Sequence, residues 1–311
     1  MYHKIEERGK KKYHYIVENI RIGKGKWKKI KIYLGKEDLS KREIKVLIEK
    51  NRPKLKLKAR NAKKKSDPLF SLLSDAQLRK LEEIRARYIA SVSQADAQLR
   101  QNYYEGFVTE FTYDTSAIEG SSITLEETSM ILFDKIAPKG RKIEEIREIE
   151  NHKASFDYML NCRGDISRDF VLKLHKLLMH NILWKYAGVF RDVQVIVRGA
   201  EFTPPEPGAV EEEFKKLMNW YRVNKRRYNP VIVAAYFHFV FESVHPFRDG
   251  NGRVGRLLLN FILRKNGYPM INIKNSDKQE YYTALKDGNK GNLKPLADLI
   301  YSYLVKARIW S

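Results

Sequence analysis

A single cysteine, Cys162, stands among 311 residues. No intramolecular disulfide can therefore staple the fold, and the composition fits a reducing compartment. Cys162 itself reads as a small apolar core residue rather than a reactive thiol. No uninterrupted apolar run is long enough to cross a bilayer, and the opening Met1-Tyr2-His3-Lys4-Ile5-Glu6-Glu7 lacks the apolar stretch of a secretory signal. Internal repeats are absent. The expectation is a soluble cytoplasmic protein with no membrane partner. Acidic residues are scarce in one place: residues 1–66 hold 7 Asp/Glu against 24 Lys/Arg, and the remainder holds 31 against 36. That break, near Ser66-Asp67-Pro68, separates a basic module over residues 1–66 from a near-neutral domain over 67–311.

Within the basic module, residues 13–34 read as a β-hairpin, with arms rich in β-branched and aromatic residues around a turn holding Gly23 and Gly25. Ser40 caps a short helix that runs to Lys50 and stops before Pro53. Lys54–Lys65 is expected to be a linker. From Asp67 onward helical periodicity dominates. Capping boxes at Ser74 and Thr124 open two helices, one of them reaching Ser93, and a third runs over 97–118. Further helices are expected at 143–161, 168–183, 208–225, 231–243, 252–265, 277–288 and 294–306. The stretch Val193–Phe202 is the one strongly β-like piece among them. The fold class is mainly α, with a small hairpin inside the helical domain and a separate basic hairpin and helix in front.

The run from His245 to Arg256, His-Pro-Phe-Arg-Asp-Gly-Asn-Gly-Arg-Val-Gly-Arg, gathers the parts of a nucleotide-phosphate site. Gly250 and Gly252 let backbone N–H groups turn toward an anion, and the N-terminus of the following helix adds partial positive charge. Asp249 suits Mg²⁺, which takes one or two carboxylates together with waters and phosphate oxygens. Arg253 and Arg256, three apart, share a helical face and can clamp phosphates. His245 is the side chain here that can accept a proton near neutral pH without prior tuning.

This run resembles the signature of the Fic family, His-x-Phe-x-Asp/Glu-Gly-Asn-Gly-Arg-x-x-Arg, at every defined position. The resemblance extends from about Leu69 to Lys306. It implies a helical core whose signature occupies a loop and the start of the next helix, and an activity that moves AMP from Mg-ATP to a hydroxyl of a protein target. His245 would be the general base and Asp249 the Mg²⁺ ligand. Gly250, Asn251 and Gly252 would form the anion hole, with Arg253 and Arg256 on the outer phosphates. Val193–Phe202 would be the flap that aligns a target segment. Tyr281–Asn289 resembles the family's adenine-pocket helix, with Tyr282 against the base, Asn289 at its edge and Tyr281 structural.

The segment Thr115-Ser116-Ala117-Ile118-Glu119-Gly120 matches the family's inhibitory motif, on a helix expected over about 104–119. There Glu119 would pair with Arg256 and deny it to ATP, since one guanidinium fork cannot serve a carboxylate and a triphosphate at once. On this reading, removing the carboxylate costs the fold little. In some relatives the same glutamate assists removal of AMP. Self-modification is expected, the protein target is unknown, and a homo-oligomer is compatible with the sequence. The resemblance does not cover residues 1–66. There Tyr13, Tyr15, Trp27 and Tyr33 lie among lysines, a pattern suited to nucleic acid. An alternative reading is thus a nucleic-acid-binding regulatory protein with a vestigial or nucleotide-sensing Fic site.

Overall fold

The computed structural model describes residues 1–307, apart from 10, 24, 36–38 and 198–201. The chain divides into two compact units, Met1–Leu72 and Leu73–Ser311.

The first unit holds three antiparallel strands in the order β1-β2-β3: β1 (Tyr2–Arg8), β2 (Lys11–Gly23) and β3 (Lys26–Gly35). The expected hairpin is therefore the inner part of a larger sheet, because Tyr2–Arg8 pairs along Lys11–Val17. The helix α1 (Lys41–Ser66) begins at a Ser40/Glu43 capping box and continues through Pro53. Neither the stop before Pro53 nor the linker at Lys54–Lys65 is present. The reason is tertiary: Leu55 and Ala62 are buried with Ile16, Ile20, Ile30 and Ile32, while Ile48 and Ala59 pack at the edge of that cluster. Residues 48, 55, 59 and 62 recur at helical spacing. Their burial on the sheet outweighs the cost of a proline inside the helix.

The second unit is built around α8 (Pro230–Val244), in which Val231–Ala235, Phe237, His238, Phe241 and Val244 are all buried. A helix apolar on nearly every face belongs at the centre of a bundle. It packs against α9 (Asn251–Lys265), α7 (Val210–Asn224), α10 (Lys278–Asn289) and α11 (Lys294–Lys306). On the far side of α9 lie α3 (Ala97–Glu119), α5 (Ile143–Asn161) and α6 (Arg168–Leu178). The remaining helices are α2 (Asp75–Gln94), against α11, and α4 (Leu125–Ser129), which runs into a π-helical turn at Met130–Asp134. This mainly α bundle is the expected fold class.

Two local expectations change. The helix from 168 ends at Leu178, and the chain turns through Asn181 at φ 57° to a 3-10 turn at Trp184–Tyr186. Val193–Val197 and Phe202 lie in no strand, and the rest of the expected flap falls outside the described residues. Ile196 is 93% exposed, so no tertiary burial holds this segment as a hairpin arm.

Buried histidines tie the stability of the bundle to pH. His152 bonds to Thr112 at 2.8 Å, His175 to the Asp249 carbonyl at 3.1 Å, and His238 to the Tyr281 hydroxyl at 2.7 Å. Burial pushes their pKa values down to about 3, 4 and 3. Glu242 is the opposite case: burial raises its carboxyl to about 8. Between pH 6 and 5 the unfolded chain thus binds between two and three more imidazole protons, and the folded chain binds about one more at Glu242. Unfolding therefore takes up between one and two protons from these groups, and stability should fall by about 2 kcal/mol per pH unit. Urea midpoints measured at pH 6 and pH 5 check this, and equal midpoints would contradict it.

Candidate active site

The polar loop between α8 and α9 is held in shape by residues outside it. His245 ends α8 in the left-handed region, φ 49°, which a side chain enters at a cost of roughly 1–2 kcal/mol. Arg191, 3% exposed, holds it there. Its Nε donates to the His245 carbonyl at 2.8 Å and its backbone N–H to the Pro246 carbonyl at 2.9 Å. Its guanidinium also reaches the carbonyls of Val193 and Pro205 at 3.0 and 2.5 Å. The His245 Nδ1 lies 3.2 Å from the Glu242 carbonyl. A carbonyl can only accept, which assigns the hydrogen to Nδ1 and leaves Nε2 with a lone pair. Burial lowers the His245 pKa, so the ring is neutral at pH 7.

Phe247, fully buried, anchors the loop by stacking on His175 at 3.7 Å between ring centres. The Asn251 side chain closes the loop onto itself. Its Oδ1 accepts from the Phe247 N–H, and its Nδ2 donates to the Phe247 carbonyl, each at 2.9 Å. That amide is thus spent on the backbone rather than aimed outward at a phosphate. Gly250, at φ 75°, begins α9 against Met179, whose methyl occupies the space a Cβ would need. The turn after α6 is what puts Met179 there.

Arg256 is 2% exposed. Its Nη2 meets Glu119 Oε1 at 2.6 Å and the Thr115 carbonyl at 3.0 Å, and its Nε donates to Thr115 Oγ1 at 2.5 Å. Burial works against the guanidinium charge, but Glu119 foremost, with Tyr281 and Glu242, offsets it and holds the Arg256 pKa above its ordinary value. Glu119 is the last residue of α3, ahead of Gly120 in a left-handed cap. Its Oε1 lies so close to Gly252 that a Cβ at that position would overlap it. The carboxylate therefore occupies the first turn of α9, where the partial charge of a helix N-terminus favours an anion.

Arg253, 3% exposed, is also engaged: Nη1 is 3.2 Å from Glu148 Oε1 on α5, and Nη2 is 3.4 Å from Asp249 Oδ2. Asp249 remains about half exposed at the mouth of the loop. On α10, Tyr281 is buried against His238, whereas Tyr282 is 38% exposed and places its hydroxyl 3.4 Å from the Ile118 carbonyl. Burial and the nearby Glu119 carboxylate raise the Tyr282 pKa to about 12. Asn289, one end of the same helix, accepts from Ser243 at 3.4 Å.

The structure thus brings His245, Gly250–Arg253, Arg256, Glu119 and Tyr282 to one end of the bundle. Sequence reasoning placed Thr115 only as the first position of the inhibitory motif and gave no part to Glu148, Arg191 or Glu242. Thr115 lies one helical turn before Glu119, which could have marked it as a second Arg256 partner. The other three carry no local signal. Glu242 in particular sits where Gly255 lets α9 approach α8 closely, with its Oε1 buried and without a hydrogen-bond partner.

Residues 165–263 match the model of the Fic/DOC family. The chain is 32% identical over 238 residues to the protein adenylyltransferase fic-1 of Caenorhabditis elegans, covering 74% of this chain and 46% of that protein. It is 32% identical over 234 residues to the protein adenylyltransferase Fic of Drosophila grimshawi, covering 73% and 47%. The chain thus spans about half the length of the curated relatives it matches. A glutamate-to-glycine variant of a C. elegans Fic-1 fragment has been solved. It superposes with a TM-score of 0.66 at 28% identity, covering 86% of this chain and 76% of the fragment. Loop, bundle and relatives agree: the chain carries a Fic domain over residues 165–263.

Proposed function

We propose that this protein is an adenylyltransferase that moves AMP from Mg-ATP to a hydroxyl of a protein, itself included, and that Glu119 restrains it. The observation that carries the reading is the Glu119 carboxylate seated over Gly252 and paired to Arg256, an anion placed where a phosphate would bind. The relatives named protein adenylyltransferase support the same activity.

In the transfer, the target's hydroxyl oxygen forms a bond to the α-phosphorus, and its proton passes to Nε2 of His245. The bond from that phosphorus to the oxygen bridging to the β-phosphate breaks, and pyrophosphate leaves with the electron pair. Backbone N–H groups of Gly250–Gly252 face the anion, Arg253 and Arg256 offset charge on the outer phosphates, and Tyr282 with Asn289 borders the base. Positioning and electrostatics are the protein's main contribution.

Asp249 fits Mg²⁺: its side chain is half exposed, its Oδ2 has only a 3.4 Å contact to Arg253, and Mg²⁺ characteristically takes one or two carboxylates plus phosphate oxygens and waters. When bound, the ion neutralises phosphate charge. Asp249 holds a fixed negative charge at the mouth of the site and, through Arg253, is tied to the face of α9.

Incubation with Mg²⁺ and ATP labelled at the α- or the γ-phosphate tests the reading. Protein-bound label is expected from the α position alone. Label from the γ position would make the protein a kinase, and label from neither, in the Glu119→Gly variant, would favour a nucleotide-sensing site.

A further inference from the structure

The first unit presents a surface that this chemistry does not use. Helix α1 covers one face of its sheet, where Ile16, Ile20, Ile30 and Ile32 are buried. By strand alternation the opposite face carries Lys4 on β1, Arg21 on β2, and Trp27, Lys29, Lys31 and Tyr33 on β3. Trp27 is 66% and Tyr33 46% exposed, high values for rings with no ligand chemistry assigned to them. One acid stands on this face, Glu6, and it is held between Lys4 and Lys31 at 3.0 Å each. From Asn19 to Leu34 the sequence contains no acidic residue.

The register gives the surface a shape. β1 pairs with β2 only as far as Val17, while β3 pairs with β2 out to Gly23. Residues 18–23 with their partners 26–30 therefore form a two-stranded ribbon beyond the edge of β1, about 20 Å long at about 3.3 Å per residue. The ribbon's outer side shows the cross-strand pairs Asn19–Lys29 and Arg21–Trp27. Two strands about 4.8 Å apart fit a major groove about 12 Å wide, with Arg21 on one strand and Lys29 on the other to meet the two phosphate rims.

We infer that the outer face of the β1–β3 sheet binds duplex DNA, with the β2–β3 ribbon in the major groove. Single strands fit less well. Trp27 and Tyr33 are six residues apart on one strand, roughly 20 Å, too far to stack successive bases, and Tyr33 is tilted 56° to Tyr15 and 45° to Tyr13. The deep, narrow major groove of duplex RNA does not admit a ribbon.

The test uses the full-length protein and a fluorescent mixed-sequence DNA duplex of about 20 base pairs, read by anisotropy. Helix α1 is also basic, so charge alone must be separated from the face. Lys29→Glu/Lys31→Glu on the sheet is compared with Lys54→Glu/Lys58→Glu on the exposed side of α1, an equal change of charge. The sheet variant is expected to weaken binding more than thirtyfold, and the helix variant less than fivefold. Trp27→Ala, which removes an exposed ring and should not disturb folding, is expected to cost about tenfold. With about five phosphate contacts, affinity should fall a few hundredfold between 50 and 200 mM salt. Equal loss in the two charge variants would overturn the inference, as would tighter binding of single strands or the absence of binding at 50 mM salt. Displacement of the duplex by polyglutamate of equal charge would likewise assign the face to acidic proteins instead.

Discussion

Replacing Glu119 with glycine is expected to raise self-labelling with AMP by roughly ten- to a hundredfold at saturating Mg-ATP. A hydrogen bond to a charged group is worth about 1.5–3 kcal/mol, and the substitution returns one such bond from Arg256 to the phosphates. Combined with Arg256→Ala, the gain should disappear, because the released guanidinium is its source. An unchanged rate in a folded Glu119→Gly protein would show that the pair does not restrain the site.

The structure also revises what this variant does to stability. Arg256 is 2% exposed, and Glu119 is its one anionic partner at hydrogen-bond distance among the described residues. Removing the carboxylate leaves a buried cation with the two Thr115 oxygens and the face of the Tyr281 ring, 6.0 Å away, as its remaining contacts among the described residues. The expected cost is about 1–3 kcal/mol, moderated because the carboxylate lies partly in solvent. A triphosphate should restore that partner. The melting temperature of Glu119→Gly should therefore lie below that of the parent without nucleotide and rise more on adding Mg-ATP. An equal rise in both proteins would count against the shared position of carboxylate and phosphate.

His245→Ala should lower transfer by roughly 10²–10⁴-fold and leave ATP affinity within about threefold, since it removes a proton acceptor and no phosphate ligand. Measured in the Glu119→Gly background, where the parent rate is high, the loss is easily read. The pH profile carries a second signature. Burial lowers the His245 pKa, and Glu119, whose charge raises it, is absent from that variant. The acidic limb of kcat/KM should therefore have its midpoint below about pH 6.5, the ordinary imidazole value. Full activity in the alanine variant, or a midpoint well above that value, would remove His245 from the role of base.

The sequence by itself determined whatever rests on local chemistry. The helices of the second unit follow from periodicity and from caps such as Ser74 and Thr124, each of which accepts the backbone N–H three residues on. The loop from His245 to Arg256 was legible because glycines, carboxylate and arginines had to lie close in sequence to face one anion. Tertiary structure alone decided the rest. Pro53 lies inside a helix because Leu55 and Ala62 are buried on a sheet. Asn251 closes a loop instead of pointing at a phosphate because Phe247 needs its backbone satisfied in the core. Glu148 and Thr115 engage Arg253 and Arg256 from helices more than a hundred residues away. Side chains so distant in sequence meet only when packing brings their helices together, and a buried guanidinium takes whatever acceptors that packing provides.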